Sequence, residues 1–245
     1  MNFIENKISI LHTGYGWISV YKPPSVSVHN DPGNDLLFHS KQMIKDLDLF
    51  DKISFDSSFG LNPVHRLDKE TSGVIILSCR KDIFRHFSKQ FESHEIDKRY
   101  TVLVHGEINS RGWESWDTML SKQSGGRKNI RGKGKKIPCE TRYKVLENCP
   151  HYTLLEIQLV TGRKHQIRRH AAISGHPIVG DQRYGSKRAV KFLKERLSFE
   201  RLCLHSYSIS IELMDGDKKN ITIVNVPDSI KDLMAIDRKT SESLG

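Results

Sequence analysis

The chain has 245 residues, 39 of them Lys or Arg against 29 Asp or Glu, for a formal net charge of +10. With 37% hydrophobic and 28% charged residues it has the composition of a globular protein with one sizeable core, which excludes a disordered or fibrous chain. The basic balance favours a polyanion such as RNA or DNA over an acidic small molecule, and no stretch is long and apolar enough to span a bilayer.

The first residues, Met1-Asn2-Phe3-Ile4-Glu5-Asn6-Lys7, lack the charged-then-apolar pattern of a signal peptide. Cys79, Cys139, Cys149 and Cys203 are scattered and form no Cys-x-x-Cys pair, which fits reduced thiols in the cytoplasm rather than a disulfide framework or zinc site. The 12 His residues form no metal-type cluster with acids or thiols, so no metal is expected.

Trp17-Ile18-Ser19-Val20-Tyr21 alternates as a strand does. Lys22-Pro23-Pro24 ends it, and Val26, Val28 and His29 continue in extended form. Asp31-Pro32-Gly33-Asn34 is a turn, after which Leu36, Leu37, Met43, Ile44 and Leu47 recur at helical spacing from Asp35 on. A polar loop over 50–62 leads into the stretch from Pro63 to Leu77. Its end, Val74-Ile75-Ile76-Leu77, is apolar without alternation and reads as a strand buried on both faces. Gly73 marks a bend or a close approach of backbone. His65, Arg66 and Asp68 stand just upstream. A carboxylate beside a buried strand is costly unless paired. Asp68 is therefore either held in an Asx-type turn near Thr71 or Ser72 or is there to react.

Asp82 is placed to cap a second helix whose apolar side carries Ile83, Phe84, Phe87 and Phe91, a core stripe. In the strand that follows, Tyr100, Val102 and Val104 share one face while Thr101 and Leu103 share the other. Residues 118–139 hold seven cations, among them Lys133, Lys135 and Lys136, with four glycines and no acid. Such a run cannot build a core, and we expect a mobile loop that grips phosphates. Two strands, Glu140–Leu146 and His151–Leu159, form a hairpin across Asn148-Cys149-Pro150. Ile167, Ala171, Ala172 and Ile173 then predict a short helix ending near Gly175, with Arg163, Lys164, His165, Arg168 and Arg169 in its first turns. Cations at a helix start oppose its dipole, so anions are expected there, either RNA phosphates or Asp68. A basic amphipathic helix over 187–197, a late strand from Leu202, an alternating strand over 220–226 and a short helix capped by Asp228 complete the pattern. Residues 237–245 read as a frayed tail.

His65-Arg66-Leu67-Asp68-x-x-Thr71-Ser72-Gly73 resembles the signature of the RluA family of pseudouridine synthases. Four further stretches resemble the family's motifs in order: Lys22-Pro23 through Val28-His29, with Ser25 where a Gly is usual; Lys98-x-Tyr100-x-x-x-Val104-x-Gly106; Gly162-Arg163-x-His165-Gln166-Ile167-Arg168-x-His170; and Leu202-x-Leu204-His205. The segment Ile178 to Gly185 resembles the family's turn after the third motif. The resemblance implies an α+β fold: a mixed, mostly antiparallel central sheet flanked by helices, with a basic cleft between two lobes. It implies one catalytic domain over 1–236 that lacks the small N-terminal RNA-binding domain of many relatives.

The implied reaction is uridine to pseudouridine in rRNA or tRNA by a monomer, with no cofactor and no metal, because no electron, phosphate or donor group enters. By resemblance Asp68 is the nucleophile, adding to C6 of the base or C1′ of the ribose; Arg163 pairs with it; and Tyr100 packs on the base and manages the C5 proton. A paired uridine must be flipped to reach such a carboxylate, at a cost of a few kcal/mol. Arg66 would fill the vacated space, and His65, Thr71, Lys98, His165, Arg168, Lys133, Lys135 and Lys136 would line the RNA path. A catalytically silent RNA-binding or assembly factor on the same fold is the alternative. A metal-dependent nuclease is disfavoured by the absence of clustered acids in the sequence.

Overall fold

The computed structural model of the chain describes residues 6–242. The fold is α+β with mostly antiparallel strands. In chain order, β1 (Ser9–Gly14), β2 (Trp17–Lys22), α1 (Leu36–Asp46), β3 (Asn62–Pro63), β4 (Ser72–Ser78) and α2 (Lys81–Glu92) come first. The middle of the chain supplies β5 (Asp97–His105), β6 (Trp113–Trp116), β7 (Leu120–Ser121), β8 (Lys136–Ile137), β9 (Thr141–Asn148), β10 (Tyr152–Leu159), α3 (Gln166–Ile173) and α4 (Lys187–Leu197). Then follow β11 (Leu204–Glu212), β12 (Lys218–Thr222) and α5 (Asp228–Glu242). By internal contacts the chain divides into two compact units, one of Met1–Asp97 with Ser206–Ile223, the other of Lys98–His205 with Val224–Gly245.

In the first unit β4 is the centre. β2 pairs antiparallel along it, with Val20 opposite Ile75 and Lys22 opposite Gly73. Ile75 and Leu77 pack with Ile18, Val20, Leu36 and Ile44 into one apolar cluster. Val74 and Ile76 pack with Ile83, Phe87, Ile209, Ile211 and Ile221 into another. Two apolar layers, one including α1 and the other α2, are why the run lacks alternation, and each fully buried aliphatic side chain contributes about 1.5–3 kcal/mol. The alternating stretch in β2 is likewise buried at all six positions, Ser19 and Lys22 included, because β1 and β4 flank it. Val26 to His29 lie outside any strand. Asp35 caps α1 by accepting from the Phe38 amide at 2.9 Å. α2 starts at Lys81 without a side-chain cap, and Asp82 instead pairs with Arg80 at 3.2 Å on the surface.

In the second unit β5 pairs with β10, β10 with β9, and β9 with β6, all antiparallel. Tyr100 lies opposite Ile157. The residues expected to fray continue α5 to Glu242, because Asp237, only 8% exposed, accepts from the His151 amide at 3.0 Å and bonds its Nδ1 at 2.8 Å. Residues 243–245 of the expected tail lie outside the described residues. No described helix is long and apolar enough to cross a membrane.

Candidate active site

The Asp68 loop enters β4 through a turn in which the Thr71 amide donates to the Asp68 carbonyl at 3.1 Å. Asp68 is half-buried, Arg66 is exposed and Thr71 is buried. Gly73 has φ +130°, and a Cβ there would fall 2.1 Å from the Ser206 carbonyl oxygen, so no other residue fits the strand's entry. Beneath the loop lies Lys22, fully buried. Its Nζ donates to the carbonyls of Pro23 at 2.9 Å, Val26 at 2.8 Å and Lys69 at 2.9 Å. Burial pushes this amine down to about 7, and the Asp68 carboxylate is the foremost charge opposing that fall. The amine thus ties the 23–26 segment to the backbone beside Asp68, and in its charged form, below about pH 7, it also supports the acid.

The role of Lys22 is not legible in its residue type, since a Lys at a strand end is ordinarily solvated. The available signals are its place one residue beyond the apolar run of β2 and its position at the start of the resembled Lys22-Pro23 motif. Ser25, where the resembled motif carries Gly, has φ +66°, the left-handed region that explains the usual residue. His65 is fixed on two sides: Nε2 accepts from the Ile76 amide at 3.1 Å, and the ring stacks on Phe91 with centroids 4.5 Å apart.

In the second unit Tyr100 is 6% exposed within β5, and Lys98, two residues earlier on the same strand face, is 8% exposed with its amine lowered by burial. Arg163 sits in the loop before α3, and Gln166 gives that loop its shape. The Gln166 carboxamide oxygen accepts from the Arg163 amide at 3.0 Å and from the Thr161 hydroxyl at 2.8 Å. Its amide nitrogen donates to the Glu140 carbonyl at 3.0 Å and to Thr141 Oγ1 at 2.9 Å. His165, at φ +52°, precedes the helix and bonds the Tyr184 hydroxyl through Nδ1 at 2.9 Å. The Nε of Arg163 is buried and has no hydrogen-bond partner among the described residues. A buried guanidinium donor left open is costly and is the mark of a group awaiting an acceptor.

Two cations of the α3 region are not placed as the sequence suggests. Arg168, expected to hold phosphate, is 2% exposed and grips Asp181 with two bonds, Nε to Oδ2 at 2.8 Å and Nη2 to Oδ1 at 2.9 Å. Its anion is internal, and Asp181 also caps the next turn by accepting from the amides of Arg183 and Tyr184. Arg169 is fully buried and donates to the carbonyls of Ile130 at 2.7 Å, Ser121 at 3.0 Å, Lys164 at 3.3 Å and Arg131 at 2.7 Å. The basic run is therefore pinned rather than mobile, with β7 and β8 paired at its base. Of its three singled-out lysines, Lys133 and Lys135 are exposed, while Lys136 folds back onto the carbonyls of Gly132 and Arg131.

Residues 16–173 match the family model described as RNA pseudouridylate synthase. A ribosomal large subunit pseudouridine synthase C of Vibrio vulnificus is 34% identical over 188 residues, covering 77% of this chain and 56% of that protein. One from Buchnera aphidicola subsp. Baizongia pistaciae is 32% identical, over 91% of this chain and 68% of its own length. An uncharacterized RNA pseudouridine synthase of Aquifex aeolicus is 35% identical over 80% of this chain and 61% of its own. The fold matches the solved structure of human RNA pseudouridylate synthase domain containing 1 with a TM-score of 0.69 at 19% identity, over 97% of both chains. It also matches human RNA pseudouridylate synthase domain containing 4, with a TM-score of 0.66 at 23% identity over 89% of this chain and 88% of that one. The chain belongs to the RNA pseudouridylate synthase family. It spans a little over half the length of the Vibrio relative.

Proposed function

We propose that this chain isomerises uridine to pseudouridine in RNA, with the large-subunit rRNA of the relatives' names as the first substrate class to test. The observation that carries the reading is the Asp68 loop: a half-buried carboxylate, one turn before a buried strand, with a fully buried lysine amine beneath it that bonds the backbone around it. A binding surface for phosphates gains nothing from a carboxylate held in that way, because it repels them.

Asp68 is the nucleophile, attacking C6 or C1′ of a uridine flipped out of its stack. Tyr100 lies against the base and handles the C5 proton. Arg163 is the cation assigned to the acid, and its open Nε donor supports that assignment. Arg66 replaces the flipped base. His65, Thr71, Lys98, His165, Lys133 and Lys135 line the path of the RNA; Arg168 drops from that set because Asp181 occupies it.

The test is pseudouridine mapping on rRNA incubated with the protein and with Asp68→Asn, in the presence of a chelator. Wild-type product with none from the variant, at retained RNA affinity, supports the reading. Equal product from both would remove Asp68 from the chemistry, and product from neither, with binding intact, would leave a silent RNA-binding protein.

A further inference from the structure

We propose that the concave basic surface between the 123–133 loop and the start of α4 is a docking site for an RNA phosphodiester backbone. It is a hollow of about 880 Å³ in the second unit, lined by Arg127, Lys128, Asn129, Lys133, Lys187 and Arg188 among its residues. The inference deepens the proposed function by naming where flanking RNA would be held, and it rests on that reading for the identity of the RNA.

The surface is preformed. Arg169 holds one side of the loop through the carbonyls of Ile130 and Arg131, and its base through that of Ser121. Arg127 holds the other, donating to the carbonyl of Gly185 and, at 3.0 Å, to that of Gln182, just before α4 begins. Lys128, Lys133, Lys187 and Arg188 are left exposed, and none has a carboxylate partner among the described residues. The lining contains no Asp or Glu. α4 is 11 residues long and has no acid in its first turn, so its positive dipole end adds to the same potential. Four unopposed cations held on a braced scaffold repel one another, and an anion relieves that repulsion.

The occupant follows from what the lining lacks. Protein interfaces centre on aromatic or aliphatic anchors, and this hollow offers no large apolar side chain to receive one. Phosphodiesters need only cations and polar hydrogen-bond donors, which it has. Further along α4 the cations differ: Lys191 lies 3.8 Å from Glu195 and Lys194 lies 2.7 Å from Glu200. They serve as an internal control.

The experiment measures RNA affinity against salt concentration for the wild type, for a variant carrying Lys128→Gln, Lys133→Gln, Lys187→Gln and Arg188→Gln, and for Lys191→Gln/Lys194→Gln. Each phosphate contact contributes about 0.7–0.9 to the log–log slope, so the fourfold variant is expected to lose about 3 from the slope while the paired control keeps the wild-type value. Equal slopes for wild type and fourfold variant, or an equal loss in the control, would overturn the proposal. So would an unchanged RNA slope with loss of binding to polyglutamate, which would point to an acidic protein partner. If the slope falls although the wild type makes no pseudouridine, the docking site stands and the proposed activity falls; circular dichroism on the fourfold variant confirms that it is folded before either result is read.

Discussion

Lys22→Met removes the buried amine and keeps an unbranched side chain one heavy atom shorter, so it tests directly whether a titrating group supports the Asp68 loop. Burial is the main cause that brings the Lys22 amine from 10.5 to about 7 in the folded chain, with Asp68 working in the opposite direction. In the unfolded chain the amine keeps its ordinary affinity for the proton. Between pH 7 and 10.5 the unfolded state therefore binds a proton that the folded state does not, and stability rises with pH across that window. Below pH 7 both states are protonated and the cost of burying the charge is present in full. At about 1.4 kcal/mol per pH unit, the whole window is worth about 5 kcal/mol. Methionine has no such dependence. The difference in unfolding free energy between wild type and Lys22→Met should therefore climb in favour of the wild type by about 3 kcal/mol from pH 7.5 to 9.5. Urea unfolding followed by circular dichroism at four pH values reads it, and the other titrating groups cancel in the difference. At pH 6, where the ammonium makes all three carbonyl bonds, the variant loses those bonds but also escapes the cost of the buried charge, and the two nearly offset. A flat difference across pH 7–10 would refute the assignment of a buried, proton-shedding amine. Adding Asp68→Asn removes the charge that holds the amine up, so the climb should begin at lower pH.

Two further outcomes follow from backbone contacts. Gly73→Ala places a Cβ 2.1 Å from the Ser206 carbonyl oxygen at φ +130°, and should lower stability by about 3–5 kcal/mol through combined overlap and backbone strain, read as a thermal or urea midpoint; a loss below about 1 kcal/mol would mean that the strand entry is not that close. Arg169→Ala removes a donor from four carbonyls, of which that of Arg131 keeps the Ser121 amide, at about 1–3 kcal/mol for each left unpaired and shut off from water, and should loosen the side of the basic loop that Arg127 does not hold. Limited trypsin digestion should then cut after Lys128 or Arg131 at least tenfold faster, with Arg169→Lys in between, and wild-type cleavage rates in Arg169→Ala would show that the loop is held by something else.

Much of the fold was legible because apolar periodicity reports burial. The run from Val74 to Leu77 lacks alternation, and the chain places an apolar cluster on each face of it. The spacing from Leu36 to Leu47, with Asp35 ahead of it, gave α1 and its cap. The basic amphipathic stretch gave α4 with its bounds, Lys187–Leu197. What failed were features set by one particular side-chain contact, near or far in sequence, or lacking any pattern. α2 starts before Asp82, which lies in the helix's first turn and pairs with Arg80 instead of capping it. The tail persisted as helix because Asp237 meets His151, 86 residues away in sequence. β1 carries no pattern strong enough to announce itself, since all six of its residues are only half-buried.

The candidate site shows the same division in its cations, and the division has a consequence for function. Lys22, Arg168 and Arg169 each lie in or at the end of a regular element, beside apolar residues, and each is buried with its donors committed to carbonyls or to Asp181. Residue type alone makes them indistinguishable from Lys128, Lys133 or Arg188, which lie exposed with no carboxylate partner among the described residues. A buried cation with its donors committed has no free donor for a phosphate, and removing it breaks a loop; an exposed one without a partner has its donors open, and removing it weakens binding while the fold stays intact. The net charge of +10 therefore overstates the charge available to the proposed RNA partner, and the salt dependence of that binding should count only the second group.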